Sequence, residues 1–244
     1  MAGPFPGVAC PRETKGTRLA VLLWILYCSS LVLYSARIRM GSSAEINIGI
    51  SESRSNDSPG TTRILKRGDV QLISAGAGIY HSEKAQNKDV HLLEIWSSRA
   101  LSNLAPSHFI RHFSDEEKMN EWVRIAAPVN ANTPDVSSYQ DAPSSARIRS
   151  AIAVYATMLA SGVSRRRIFQ LGSTKGYIHV IQTSGYNAGA SKGAEIKLSG
   201  GDSGTTEVEL REGDGAYVML VPGSEFKVQN IGARVAEVLL FKME

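Results

Sequence analysis

From residue 63 onward the chain is a series of short apolar segments broken by turn residues. The segments fall at 63–75, 90–97, 121–127, 150–159, 176–183, 194–198, 206–211, 215–221, 225–229 and 234–242. Most are rich in Val, Ile, Leu and Tyr, and Gly, Asn, Asp or Pro punctuates many of the gaps. Many short strands at this spacing predict an all-β sandwich or barrel. One stretch departs from the pattern. Residues 114–121, SDEEKMNE, predict a short helix with Ser114 as N-cap and Glu117 three residues on, the arrangement of a capping box. Residues 129–149 are polar and contain Pro, and they read as the boundary between two halves.

An internal repeat supports that division. The first half has Gly68-Asp69, a strand, a Gly-rich bend, Asn87-Lys88-Asp89 and the strand VHLLEIW. The second has Gly213-Asp214, the strand GAYVMLV, the bend Pro222-Gly223, Asn230-Ile231-Gly232 and the strand VAEVLLF. Each copy reads as the last part of one β-barrel unit. The Gly-Asp pairs suit a tight turn that needs positive φ.

The N-terminal quarter differs. Residues 19–36, LAVLLWILYCSSLVLYSA, carry no charge. That length is at the lower limit for a bilayer-spanning helix, so the run is a candidate hydrophobic helix, signal segment or membrane anchor. Lys15 and Arg18 precede it and Arg37 and Arg39 follow, so flanking charge gives no orientation. Residues 40–62 are rich in Ser, Asn and Gly and read as a linker or loop.

Bulk composition narrows the picture without deciding it. The chain has 244 residues, 43% hydrophobic and 20% charged, which fits a folded body of one large or two ordinary domains. The formal charge of +4 is spread out, and the longest basic run is Arg165-Arg166-Arg167. A run so short reads as solvated loop charge, and no direct nucleic-acid binding is expected. The only two cysteines, Cys10 and Cys28, lie in the first 30 residues, which excludes a disulfide framework and a Cys-type zinc site.

The candidate chemistry sits in KRGDVQLISAGAGIYHSE, residues 66–83. His81 and Glu83 stand two residues apart, and in an extended segment such residues share a face. An imidazole and a carboxylate so placed can share one metal ion, as half of a mononuclear site with His and carboxylate ligands. Taken alone, the pair also fits a hydrogen-bonded loop. The other histidines are His91, His108, His112 and His179. His91 opens the strand HLLEIW and can point inward. His108 and His112 read as part of an extended connection, and His179 as a core or rim histidine. The second copy has Glu225 and Phe226 after its bend, with no His, so no second metal site is expected there.

GDVQLISAGAGIYHSE followed by LLEIW resembles the pirin family of bicupins. FIRHFSDEEK, RIAAPV, YIHVIQTSGYNAGA and ELREGDGAYVM resemble fungal pirin-like proteins in particular, and the likeness runs from about Asp57 to Glu244. It implies two cupin barrels, with iron held in the first by a His-x-His pair and a later His-x-Glu pair. By resemblance His81 and Glu83 are the later pair, Glu83 being both ligand and candidate catalytic base. The earlier pair has no counterpart, because no His precedes His81. The residues Arg54 to Gly60 resemble the family's Asp-Ser-x-Gly-like turn, the end of one hairpin.

The expected organisation is an atypical segment over 1–56, a partial N-terminal pirin cupin over 57–130, a linker over 131–149 and a C-terminal cupin over 150–244. A misread start of the chain, or a degenerate copy, accounts for this pattern better than a membrane-bound pirin. The resemblance implies a quercetin 2,3-dioxygenase-type activity on a flavonol-like small molecule, here with an impaired iron site. The alternative is a nuclear cofactor that binds a transcription factor. Location by resemblance is cytoplasmic or nuclear, or membrane-anchored if 19–36 spans a bilayer.

Overall fold

The computed structural model describes residues 21–28, 43–49, 53–57, 62–76, 81–85, 90–98, 107–129, 145–148, 150–168, 175–184, 192–200, 206–219 and 225–243. It describes the backbone alone for 21–28, 43–49, 53–57, 81–85, 90, 92, 96–98, 168 and 206. In chain order the first strands are β1 (Val21–Cys28), β2 (Ser43–Gly49), β3 (Ser53–Asp57), β4 (Thr62–Leu65), β5 (Asp69–Ser74), β6 (His81–Ala85), β7 (Val90–Ser98) and β8 (Ser107–His112). A single turn of helix, α1 (Asp115–Lys118), leads to β9 (Val123–Pro128) and β10 (Ala146–Ile148). The remainder is β11 (Ile152–Leu159), β12 (Ser164–Ile168), β13 (Lys175–Val180), β14 (Glu195–Gly200), β15 (Thr206–Arg211), β16 (Gly215–Met219), β17 (Glu225–Asn230) and β18 (Ala236–Met243).

These strands form four sheets, ordered β1-β7-β2-β5-β8, β4-β3-β6, β10-β9-β11-β18-β13-β16 and β12-β17-β14-β15. The last two face each other as the C-terminal barrel. Their apolar filling includes Tyr155, Ile178, Val180, Ile196, Leu198, Phe226, Val228 and Leu240. A second core joins the halves. Val70, Leu72, Leu93 and Ile95 of the five-stranded sheet pack with Ile125, Ile152, Val154, Leu239 and Phe241 of the six-stranded one. Alternation explains both cores at once. Along β18, Val238 and Leu240 fill the barrel while Leu239 and Phe241 face the seam between halves. The strand is therefore apolar on both faces.

The two large sheets repeat one order. β1-β7-β2-β5 matches β11-β18-β13-β16, with β7 and β18 each bearing the last strand of its copy. β1 therefore holds in the first half the place of β11 in the second. β11 is buried at all eight positions. This corrects the reading of the apolar run as a hydrophobic helix. Its residues Val21–Cys28 form a strand, paired antiparallel with β7 from Val21↔Ser97 to Cys28↔Val90. An unbroken apolar strand shows the same hydrophobicity as a membrane span, only shorter. Among the described residues no helix is long and apolar enough to cross a membrane, so the membrane-anchor reading loses its support.

The loop reading of 40–62 gives way as well. β2 pairs with both β5 and β7, and β3 forms a hairpin with β4 from Ser53↔Leu65 to Asn56↔Thr62. Early strands are thus present within residues 1–56. β9, inside the 57–130 stretch, adds to the second half's sheet by pairing with β11.

The Gly-Asp repeat is a repeated turn. Asp69 N donates to Lys66 O at 3.0 Å and Asp214 N to Arg211 O at 2.9 Å. In each the carboxylate accepts from the residue three back, Asp69 from Lys66 N at 2.8 Å and Asp214 from Arg211 N at 2.9 Å. Gly68 and Gly213 take φ of 86° and 87°, the left-handed conformation a type II turn needs at its third position. Arg67 and Glu212 occupy the equivalent second positions. The capping box also forms, with Glu117 N donating to Ser114 Oγ at 3.2 Å and Ser114 N to Glu117 Oε2 at 3.0 Å.

Candidate functional site

His81 and Glu83 fall in β6, opposite Asp57 and Ser55 of β3. The strand that the i, i+2 argument requires is therefore present, and the two residues hold positions of like parity in it. Their side chains lie outside the described residues. The fit of a metal was tested on the donor set that is described. There no group of three or more His, Cys, Asp or Glu comes together in a way that could hold an ion.

The remaining histidines have other surroundings. His112 lies at the end of β8, where its Nδ1 is 2.8 Å from Asp69 Oδ1, closing the first repeated turn from outside. His108 is in β8 as well, opposite Ile73 of β5. The stretch read as an extended connection is thus a paired edge strand. His91 precedes Leu93 and Ile95 on the seam face of β7, so its inward direction is toward the other half. His179 sits between the positions of Tyr177 and Ile181, both of which pack against the seam core. It is 1% exposed, and its Nδ1 has no hydrogen-bond partner among the described residues. Burial, with His91 nearby, pushes its pKa down to about 4, against the opposing pull of Asp214. Burial also lowers His91, while Glu237 and Glu212 resist.

The polar side chains that the fold does bring together lie beside these histidines. Glu237, 5% exposed, accepts from Arg67 at 2.8 Å through Oε2 and from Lys118 Nζ at 3.1 Å through Oε1. Asp115 Oδ1 lies 3.3 Å from each of the same two cations. Burial works against charge on Asp115, but Arg67 and Lys118 outweigh it and hold the carboxyl below its ordinary range. Burial likewise works against charge on Arg67, and Glu237 and Asp115 more than offset it. The quartet ties the first repeated turn and α1 to β18. The second turn is anchored separately: Glu212 accepts from Thr183 Oγ1 at 2.8 Å and from Ser184 N at 3.2 Å and Oγ. Burial raises Glu212, and these hydrogen bonds reverse the effect and leave it lowered.

Sequence reasoning missed this quartet. One signal was available, because Glu237 is the only charge in VAEVLLF. A carboxylate on the buried face of such a strand requires a cation opposite it. Arg165, Arg166 and Arg167, read as loop charge, lie instead in β12. Arg165 meets Glu121, Arg166 meets Glu225 and the Arg167 guanidinium lies 3.6 Å from the centre of the Tyr155 ring.

Comparison with known proteins agrees with this architecture. The family model described as Pirin matches residues 50–97, which hold β3 to β7 and therefore His81 and Glu83. The chain is 28% identical over 176 residues to a Zymomonas mobilis protein named "Putative quercetin 2,3-dioxygenase", covering 69% of this chain and 67% of that one. Among solved structures, YhaK of Escherichia coli superposes with a TM-score of 0.64 at 18% identity, over 91% of this chain and 83% of that one. The bacterial pirin YhhW of Escherichia coli, solved in complex with nickel(II), gives 0.60 at 16% identity, over 92% and 76%. At those identities the structures speak for the fold alone. The Pirin match lies on the segment that carries the His-x-Glu pair, so over residues 50–97 the chain is similar to the pirin family, and the sheets around that segment share the fold of the pirin structures.

Proposed function

We propose that this chain is a pirin-type cupin protein of quercetin 2,3-dioxygenase ancestry whose metal centre is impaired. The observation that carries the reading is the strand β6. It sets His81 and Glu83 two residues apart, while the chain has no histidine before His81 to supply a second pair. In this reading His81 and Glu83 are the two protein ligands that remain, iron is the metal they took, and Glu83 is the carboxylate available to accept a proton from a flavonol hydroxyl. A metal bound there would activate a flavonol toward oxygen. Two ligands in place of four weaken its hold by orders of magnitude.

Two measurements on the purified full chain test the proposal. Elemental analysis after loading with Fe(II) and desalting is expected to find far less than one iron per chain. Quercetin absorbance is expected to decay no faster with the protein and added Fe(II) or Ni(II) than with the metal alone. Near-stoichiometric iron, or turnover abolished by Glu83→Gln, would show a complete centre and overturn the reading.

A further inference from the structure

β16 is the last strand in the order of the six-stranded sheet and pairs on one side with β13. The internal repeat shows what such an edge holds elsewhere in this chain. Counted from the repeated Gly-Asp turns, β5 is the counterpart of β16, and Leu72 that of Tyr217. Beyond β5 the first half places β8, antiparallel, with Phe109 opposite Leu72, and Leu72 is 3% exposed. Beyond β16 no strand follows among the described residues, and Tyr217 and Met219 are 67% and 75% exposed. Ala216 and Val218, on the other face, pack against the filling of the barrel.

The exposed side chains prolong the seam between the halves. The Tyr217 ring centre lies 5.1 Å from that of Tyr177, which lies 6.0 Å from that of Phe241 in the seam core. Edge strands are ordinarily protected by charge or proline. β12 and β15, at the edges of the opposed sheet, carry Arg165 to Arg167 and Glu207, Glu209 and Arg211. β16, GAYVM, carries neither charge nor proline.

We propose that β16 is a dimer edge, to which a second copy of this chain adds its own β16, antiparallel about a two-fold axis at Tyr217. A two-fold interface must be self-complementary, and this one is. It sets Tyr217 opposite the partner's Tyr217, which supplies the aromatic that Phe109 supplies to β5. It sets Met219 opposite the partner's Gly215. At Gly215 the place of a side chain is already filled by the Tyr177 ring, so the thioether meets an aromatic surface. No charge within residues 215–219 opposes another, and the two six-stranded sheets join into one. Each copy has one β16, so the assembly closes at two.

Sedimentation equilibrium of the full chain over a range of concentrations tests this. The mass is expected to rise from one chain to two and no further. Tyr217→Lys sets two ammonium groups opposite each other and should weaken association at least about tenfold, with the far-UV circular dichroism unchanged. Val208→Lys, on the edge strand β15, should leave association as it is. Mild oxidation of Tyr217→Cys should give a disulfide-linked pair absent from the wild-type chain and from Val208→Cys, because the two-fold axis brings residue 217 beside its own copy. A chain monomeric at every concentration overturns the proposal, whether the edge is then bare or covered by another segment of the same chain. So does a dimer that tolerates Tyr217→Lys, or a mass that keeps rising beyond two. If Tyr217→Lys does not fold, the cysteine variants decide, and a dimer that Tyr217→Cys fails to cross-link refutes the pairing.

Discussion

Replacing Glu237 by Gln keeps the shape of the side chain and removes the second-half carboxylate that Arg67 and Lys118 share. The Glu237 and Lys118 side chains are 7% and 4% exposed, and Oε1 and Nζ are 3.1 Å apart. Unit charges at that distance attract by about 5 kcal/mol at an effective dielectric near 20, and desolvation offsets much of it. The loss on breaking the pair is larger than its net worth, because Lys118 then stays buried with only the half-exposed Asp115. Losses of about 3–5 kcal/mol are typical of such orphaned charges. Arg67 is 37% exposed on its side chain, so its bond adds at most about 1 kcal/mol. Urea denaturation of Glu237→Gln should therefore show a loss of about 3–5 kcal/mol, a large share of an ordinary domain's stability. Lys118→Met should cost less, since Glu237 keeps Arg67. The double variant should recover at least about 1 kcal/mol relative to the sum of the two. A Glu237→Gln loss below about 1 kcal/mol, or additive single variants, would refute the claim that this pair is buried and mutually dependent.

Other outcomes follow from the same geometry. A Cβ on Gly68 would lie 2.7 Å from Phe113 O, whereas one on Gly213 would meet nothing nearer than Gln182 Oε1 at 3.4 Å. At nearly equal φ, Gly68→Ala should destabilise by about 2–3 kcal/mol and Gly213→Ala by roughly half that, measured by thermal or urea unfolding. Ser114→Ala removes the capping box on α1 and should cost about 1 kcal/mol by the same assay. Unfolding free energy should fall as pH drops from about 6.5 to 4, with His179 alone contributing up to about 3 kcal/mol, and His179→Gln should flatten the curve. Treatment with a chelator should leave the melting temperature unchanged, as expected where no complete metal centre contributes to folding.

Much of this architecture is legible in the sequence where local chemistry agrees with tertiary structure. Gly68-Asp69 and Gly213-Asp214 announce their turns because positive φ is cheap only for glycine. Ser114 and Glu117 announce a helix start because each satisfies the other's backbone. The missed elements are those that pairing creates. β12, SRRRI, has no hydrophobic alternation, and it is a strand because β17 pairs along it and Tyr155 receives Arg167. β3, SRSND, is too polar to read as a strand alone, and the alternation of Ala44, Ile46 and Ile48 in β2 is passed over amid Ser and Gly; β5, β7, β4 and β6 complete their hydrogen bonding. β1 is missed for the opposite reason, being apolar on both faces. For the site, the spacing of His81 and Glu83 is legible as half of a metal pair. The quartet around Glu237 is not, because Arg67, Asp115 and Lys118 are far from it in the chain.

The place of β1 has a consequence for the order in which the chain assembles. Val21 pairs with Ser97 and Tyr27 with His91, so β1 leaves the ribosome about 70 residues before the strand it pairs with. Until then an uncharged, β-prone octet, VLLWILYC, lacks its hydrogen-bond ladder. Such segments are where nascent chains stick to one another or are held by chaperones. Synthesis slowed before residue 98 would prolong that exposure, so yield should depend on translation speed there even though the mature fold is unchanged.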